Sequence, residues 1–357
     1  MQTLVQTWPG TRQETWSETW AGTRTGALPG TRTGTWAEKA YAKINLTLEV
    51  LHRQPDGYHD LRSLMQTVSL YDVITVTHSG DGTLRAASNL ASLPTDRDNL
   101  VVAAAEVFLE ATGIPVKGLC FTIEKNIPVF AGLGGGSADA AAALRLLNRA
   151  YAAGLSARAL EEMAHRVGSD VPFCVRGGTQ LAEGRGERLS ASPPLPPCYI
   201  LLCKPPAAVS TREAFAWWDA SRDETLGASR GVSQGVSRGV SRSTSLGASR
   251  GVSQGAAKKP DLAGFLDALS RGYLSGAARC LGNVLEAVLP PTQADADVAQ
   301  IKGMMMDAGA LGAVMSGSGP TVAGLFDDAG ACAAAGATLR ERYADVYVTR
   351  PVSPICG

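Results

Sequence analysis

Two stretches alternate apolar and polar residues with the two-residue period of a half-buried strand: "AYAKINLTLEVLH", Ala40 to His52, and "QTVSLYDVITVTHS", Gln66 to Ser79. Both are predicted as strands, connected by "DGYHDLRS". The period then changes. Asn99 to Thr112 and Ala138 to Tyr151 carry apolar residues at helical spacing, and Ser156 to Val167 reads as a further helix ended by Gly168. Between the first two helices, "LCFTIEKNIPV" is another strand run, and it leads straight into "PVFAGLGGGSADAAAALRLLN", Pro128 to Asn148. Near the far end, the strand-like runs "LGAV" and "TVAGLF" flank the turn "MSGSGPT". They follow a helix whose Met304, Met305 and Met306 are expected in the core.

Two segments show neither period. From Met1 to about Glu38 the chain repeats degenerate units such as "TWPGTR" and "TWAGTR", and is expected to be a disordered extension. Its tryptophans Trp8, Trp16, Trp20 and Trp36 have no role in the chemistry on this view. Residues 226–255 contain "LGASRGVSQG" twice and are expected to form a flexible insert, because Gly/Ser-rich sequence cannot offset the entropy of ordering it. The expected organisation is therefore an extension over 1–38, one domain over 39–195, and a second over 196–357 that carries the insert. Strands and helices together indicate an α+β fold.

Composition narrows the partners. A chain of 357 residues, 45% hydrophobic, can bury a sizeable core, and its length favours two domains over one. Thirty-three basic residues balance thirty-three acidic ones, so no net field draws it to nucleic acid or an anionic membrane surface. A small-molecule partner is the expectation, with no nucleic acid and no membrane. The seven cysteines are scattered, with no CxxC pair to suggest zinc or redox chemistry, which fits a reducing cytoplasm. No apolar run approaches the roughly 20 residues of a membrane span, and the amino terminus lacks the basic-then-apolar order of a signal peptide. Nothing in the sequence sets the oligomeric state.

The order strand, glycine turn, helix is the most informative local feature. A helix beginning near Ser137 leaves its first N–H groups unpartnered and turns the positive end of its dipole to the bend, where an anion is stabilised. Gly132, Gly134, Gly135 and Gly136 let the backbone approach a bulky polyanion, and Ala140 to Ala143 let the helix pack closely on a sheet. A Walker loop would need a following lysine, which is missing. A dinucleotide fingerprint would need a third glycine where Ser137 stands. A different phosphate site, or a plain tight turn, remains.

"PVFAGLGGGSADAAAALRLLN" resembles the second signature of the kinase superfamily that includes galactokinase, homoserine kinase and mevalonate kinase. "AYAKINLTLEVLHRQPDGYHDLRSLMQTVSLYD" resembles the amino-terminal signature and "GAVMSGSGPTVAGLF" the carboxy-terminal one, in the expected order. The resemblance runs from about Ala40 to Val352 and is interrupted by the insert. It implies a two-domain GHMP-kinase-like architecture with the active site in the interdomain cleft. ATP is the implied cofactor, with Mg²⁺ carried on the nucleotide and no protein-only metal site. Pro128, Val129, Phe130, Ala131, Gly132, Leu133, Gly134, Gly135, Gly136, Ser137 and Ala138 are the implied nucleotide-binding residues, with Ser137 the hydroxyl nearest the metal.

The same resemblance makes Asp170, in "HRVGSDVPFC", the base or orienting group for the substrate hydroxyl. From the residues alone, Asp170 could equally cap or satisfy local amides; Pro172 is expected to force extended geometry after it. Lys43 stands in a strand pattern from which its side chain can meet Asp170, the alternative being a solvated lysine. Asn45 shares the face of Lys43. "AKINL", "DGYHDL" and "VGSDVPF" are together similar to the branch whose substrate is 4-diphosphocytidyl-2-C-methyl-D-erythritol. In that branch Tyr58 would stack on the cytosine, His59 would hydrogen-bond to it, and Phe215 in "VSTREAF" would close its other face. Gly317, Ser318 and Gly319 would place a second glycine turn beside the first, and Asn283 would have a structural role. A homoserine or mevalonate kinase would keep the glycine turns without needing Tyr58 and His59. An inactive nucleotide-binding module would have no use for Lys43 and Asp170.

Overall fold

The computed structural model describes residues 25–26, 34–231, 259–290 and 292–356. The chain enters on β1 (Thr25–Gly26) and a long hairpin, β2 (Gly34–Arg53) and β3 (His59–His78), followed by β4 (Leu84–Ser88), α1 (Leu100–Thr112) and β5 (Leu119–Glu124). Three helices come next, α2 (Gly135–Ala150), α3 (Ala157–His165) and α4 (Val171–Arg176), then the strands β6 (Thr179–Gly184), β7 (Arg188–Ala191) and β8 (Tyr199–Lys204). The remainder holds α5 (Thr211–Gly231), α6 (Leu262–Ser270), α7 (Leu274–Arg279), β9 (Gly282–Asn283), α8 (Gln293–Asp307), β10 (Gly312–Met315), β11 (Val322–Phe326), α9 (Ala329–Arg340) and β12 (Asp345–Thr349). This is an α+β fold.

Two sheets organise it. The larger runs β1-β2-β3-β5-β4, with β6 also on β3, β7 on β6, and β9 parallel to β2. The smaller is antiparallel, in the order β10-β11-β8-β12. The two 20-residue strands of the hairpin each serve two neighbourhoods. Residues 61–66 of β3 pair with β6, whereas 73–78 pair with β5. β2 and β3 slip register between Tyr41 and Lys43, and again between Asn45 and Thr47. Bulges of this kind re-aim side chains, and these two bracket Lys43 and Asn45.

Helix α2 lies against the larger sheet. Its residues Ala138 to Leu147 are all buried, and Ala140 to Ala143 are completely so. Small side chains permit that close approach and favour the helix intrinsically. Arg145 is buried as well, and its charge is fully engaged. It donates to Cys174 O at 2.7 Å and Lys39 O at 2.9 Å, and pairs with Glu38 at 3.2 Å. One guanidinium thus ties α2 to α4 and to the start of β2.

Several boundaries differ from those the sequence suggests. β2 begins at Gly34, so residues 34–38 of the predicted extension are strand, fixed by pairing with β3 and by the bonds of Glu38. Trp8, Trp16 and Trp20 lie outside the described residues, while Trp36 packs on the core. α5 continues to Gly231, so residues 226–231 of the predicted flexible insert are helical, since extending a formed helix adds one hydrogen bond per residue. Residues 232–255 lie outside the described set. "DGYHDLRS" is not all connection, because β3 starts at His59, where Arg62 and Ser63 pair across to Glu49 and Leu48. β5 stops at Glu124, and the rest of that strand run is turn. Met305 is core and Met304 packs against it, but Met306 is 47% exposed.

Candidate active site

The centre is assembled from three chain segments that meet at β2. The backbone N–H of Lys43 donates to Leu133 O at 3.0 Å, inside the glycine turn. Two residues on, the N–H of Asn45 donates to Ser316 Oγ at 3.2 Å, and that hydroxyl donates to Gly132 O at 2.9 Å. The first glycine turn, the strand and the second glycine turn are therefore bolted together. Asn283 completes the joint, its amide donating to Met315 O at 2.8 Å and Gly317 O at 2.7 Å.

Gly132 shows why this contact needs glycine. Its φ is +73°, and a Cβ there would stand 2.1 Å from Ser316 O. Gly134, with φ +66°, caps α2 without any side-chain hydrogen bond, so the amides of the first turn face the bend. The helix starts at Gly135, two residues before the predicted Ser137, and Ser137 is half-buried in its first turn. Phe130 is 67% exposed and takes a left-handed φ of 52°, while Ala131 and Leu133 are buried.

Lys43 and Asp170 meet at this bend. Lys43 Nζ lies 3.2 Å from Asp170 Oδ2 and donates to Asn45 Oδ1 at 2.8 Å. Its side chain runs along Gly134, where a Cβ would sit 2.9 Å from Cγ. The lysine is buried (5% side-chain exposure), whereas Asp170 is 37% exposed, open to an incoming reactant. Asp170 makes no side-chain cap bond although it occupies the N-cap of α4, so its carboxylate is spent on Lys43 and not on local amides. Pro172 does not force extended chain as predicted. It falls in the first turn of α4, where a proline's missing N–H costs nothing and its fixed φ suits the helix. Asn45 Nδ2 donates to Ser63 Oγ at 2.7 Å, which sets the orientation of its amide.

The "DGYHD" segment folds over the same side. Tyr58 is 58% exposed, with the Arg185 guanidinium 4.2 Å from its ring centroid. Arg185 also pairs with Asp56 and donates to Gln54 Oε1 at 3.2 Å, tying this turn to the β6–β7 turn. Next to Arg185, Gly186 faces Asp170, a Cβ there standing 3.9 Å from its Oδ1. His59 is buried, stacked on Phe215 with centroids 5.0 Å apart, and its Nε2 is 2.7 Å from Asp219 Oδ1. Phe215 thus packs on His59. Arg185 and Asp219 carry no sequence motif, and only their neighbours identify them.

A lysine the sequence reasoning missed lies beneath the bend, upstream of the turn rather than after it. Lys125 Nζ is 2.5 Å from Asp72 Oδ2 and 2.7 Å from Asp139 Oδ2, and all three side chains are buried. A Cβ on Gly135 would come within 2.9 Å of the same ammonium. Burial pushes Asp139 up to about 8 against the opposing pull of Lys125. Among the described residues no cluster of three or more His, Cys, Asp or Glu side chains could hold a metal, and no helix is long and apolar enough to cross a membrane.

Residues 99–178, which span α1, the glycine turn and Asp170, match the GHMP kinases N terminal domain, and residues 254–345 match the GHMP kinases C terminal domain. A curated 4-diphosphocytidyl-2-C-methyl-D-erythritol kinase of Pelotomaculum thermopropionicum is 41% identical over 315 residues, covering 88% of this chain and 97% of its own. The chain belongs to the 4-diphosphocytidyl-2-C-methyl-D-erythritol kinase family. A family member from Exiguobacterium sibiricum is 38% identical, covering 87% of this chain and 96% of its own. The crystal structure of a 4-(cytidine 5'-diphospho)-2C-methyl-D-erythritol kinase superposes with a TM-score of 0.65 at 30% identity, over 88% of this chain and 98% of that one. A homoserine kinase from Cytophaga hutchinsonii, at 20% identity and a TM-score of 0.60 over 93% of this chain and 98% of its own, shares the fold. As a family member the chain is an ATP-dependent small-molecule kinase.

Proposed function

We propose that the chain transfers the terminal phosphoryl group of ATP to the 2-hydroxyl of 4-diphosphocytidyl-2-C-methyl-D-erythritol, giving the 2-phosphate and ADP, in the cytoplasm, for isoprenoid precursor synthesis without mevalonate. The observation that carries the chemistry is the Lys43–Asp170 pair, 3.2 Å apart, at the junction of both glycine turns. Phosphoryl transfer needs chiefly positioning and charge neutralisation. The unsatisfied amides of α2 offer the anion site, and the bend at Gly132 is bare enough for a phosphate chain to lie against its backbone. Asp170, held by Lys43 and partly open, is placed to orient the hydroxyl and take its proton. Lys43 stabilises both the carboxylate and the incipient alkoxide. The donor set suits a metal carried by the nucleotide: Mg²⁺ on its phosphates would neutralise developing charge, and Ser137 would offer it a hydroxyl. Tyr58, His59 and Phe215 would hold the cytosine, and the first of the two domains would end near residue 195.

The test is turnover by the purified full chain on a panel of 4-diphosphocytidyl-2-C-methyl-D-erythritol, homoserine and mevalonate, with ADP formation as readout. Efficient turnover of the cytidyl alcohol alone is the expected result. Preference for either of the other alcohols would overturn the substrate assignment.

A further inference from the structure

Asp219 stands outside every motif described above, yet it makes the only side-chain hydrogen bond observed for His59 among the described residues. Its Oδ1 is 2.7 Å from His59 Nε2, and its Oδ2 is 3.6 Å from Arg53 Nη1. Arg53 is the residue that pairs with His59 across the hairpin, so strand register, not chance, brings the three groups together. The histidine has little freedom. Its side chain is 7% exposed, and its ring lies on Phe215 at an interplanar angle of 20°.

A carboxylate only accepts, so the nitrogen that faces it must carry the proton. The Arg53 guanidinium flanks the other oxygen of the same carboxylate. In the neutral ring, the other nitrogen, Nδ1, is then a pure acceptor. The exocyclic amino group of cytosine is a donor, whereas uracil presents a carbonyl oxygen at the same position. We propose that Asp219 is a specificity-determining positioning residue: by holding His59 as the Nε2–H tautomer it makes Nδ1 the acceptor for the cytosine 4-amino group, so that a uracil-bearing analogue is refused. The inference rests on the substrate reading above and adds to it the group that sets base selectivity.

Two measurements test it. In full-length wild-type protein labelled with ¹⁵N-histidine, the chain's four histidines give a readable imidazole spectrum. At a pH where the ring is neutral, the His59 signals should show a protonated Nε2 and a bare Nδ1, and in Asp219→Ala they should move to a mixture of tautomers. In steady-state kinetics, Asp219→Ala should raise KM for the cytidyl substrate about 10-fold or more, the loss expected for one well-placed hydrogen bond. The preference for cytidyl over the corresponding uridyl compound should fall by a similar factor, with KM for ATP within about twofold. Asp219→Asn, which keeps an acceptor oxygen, should recover part of the preference. A His59 protonated at Nδ1 in the wild type, or an unchanged base preference in Asp219→Ala, overturns the inference while leaving the kinase assignment intact. A wild-type enzyme that fails to phosphorylate the cytidyl alcohol overturns both.

Discussion

Asp170 and Lys43 are separated by most of the amino-terminal half of the chain, yet their charges meet at 3.2 Å. Because Asp170 spends its carboxylate on Lys43 and not on the α4 cap, removing it should remove chemistry more than stability. Asp170→Ala is expected to lower kcat by about 10²–10⁴-fold, the usual contribution of a positioned acid–base group. ATP affinity, measured by calorimetry, should stay close to that of the unaltered chain, and near-normal kcat would refute the assignment. Tyr58 is a different case, since it is 58% exposed and touches no reacting group. Tyr58→Ala should raise KM for the cytidyl substrate by about tenfold or more, as expected for loss of one base–aromatic stack, and leave KM for ATP little changed. Lys43 and Asn45 could be paired from their two-residue spacing, which the strand honours with a 2.8 Å hydrogen bond. Arg185, Asp219 and Lys125 could not, because nothing in their local sequence distinguishes them from the polar residues of any loop or helix.

The glycine turn works only as part of a larger unit of strand, bend and helix. Its conformation is dictated as much by Ser316, on the second turn, as by its own residues. Gly132→Ala therefore meets two obstacles, a left-handed φ and a carbonyl oxygen 2.1 Å from the new Cβ. A cost of about 1–3 kcal/mol in stability is expected, read as a lower urea midpoint, together with a KM for ATP raised more than KM for the alcohol. Unchanged ATP binding would show that the bend is a turn and nothing more. Helices α1 and α2 were legible because their periodicity is long, and α1 also carries an ordinary start signal: Asn99 caps it, its side chain accepting from Val101 N. The early start of β3 was less so, since Arg62 and Ser63 look like loop residues until Glu49 and Thr47 are seen to take their hydrogen bonds.

The molecule as a whole hides charge at a price that pH exposes. Asp139 is 3% exposed, and burial raises its carboxyl to about 8 from the usual 3.8. A group whose pKa is higher folded than unfolded takes up a proton on folding. Its stabilising contribution is complete below the unfolded value and is lost as pH rises from about 4 through about 8. Stability should therefore fall across this range by up to ~1.4 kcal/mol per pH unit on account of this one group. Asp139→Asn, which mimics the protonated acid, should flatten that slope, and the check is the urea midpoint of both proteins at pH 6 and pH 8.5. Equal slopes would mean that Lys125 keeps Asp139 ionised throughout. The amino-acid sequence by itself determined the α+β class, the two glycine turns and the kinase family, because periodicity, capping and bare backbone are local properties with local causes. Only the tertiary structure decided that Lys125 lies locked between two acids beneath the bend, that Arg185 bridges the turn holding Tyr58 to the loop beside Asp170, and that Asp219 hydrogen-bonds His59. Those arrangements come from strand register and from side chains buried together across large separations in sequence, and such contacts leave no period or motif behind.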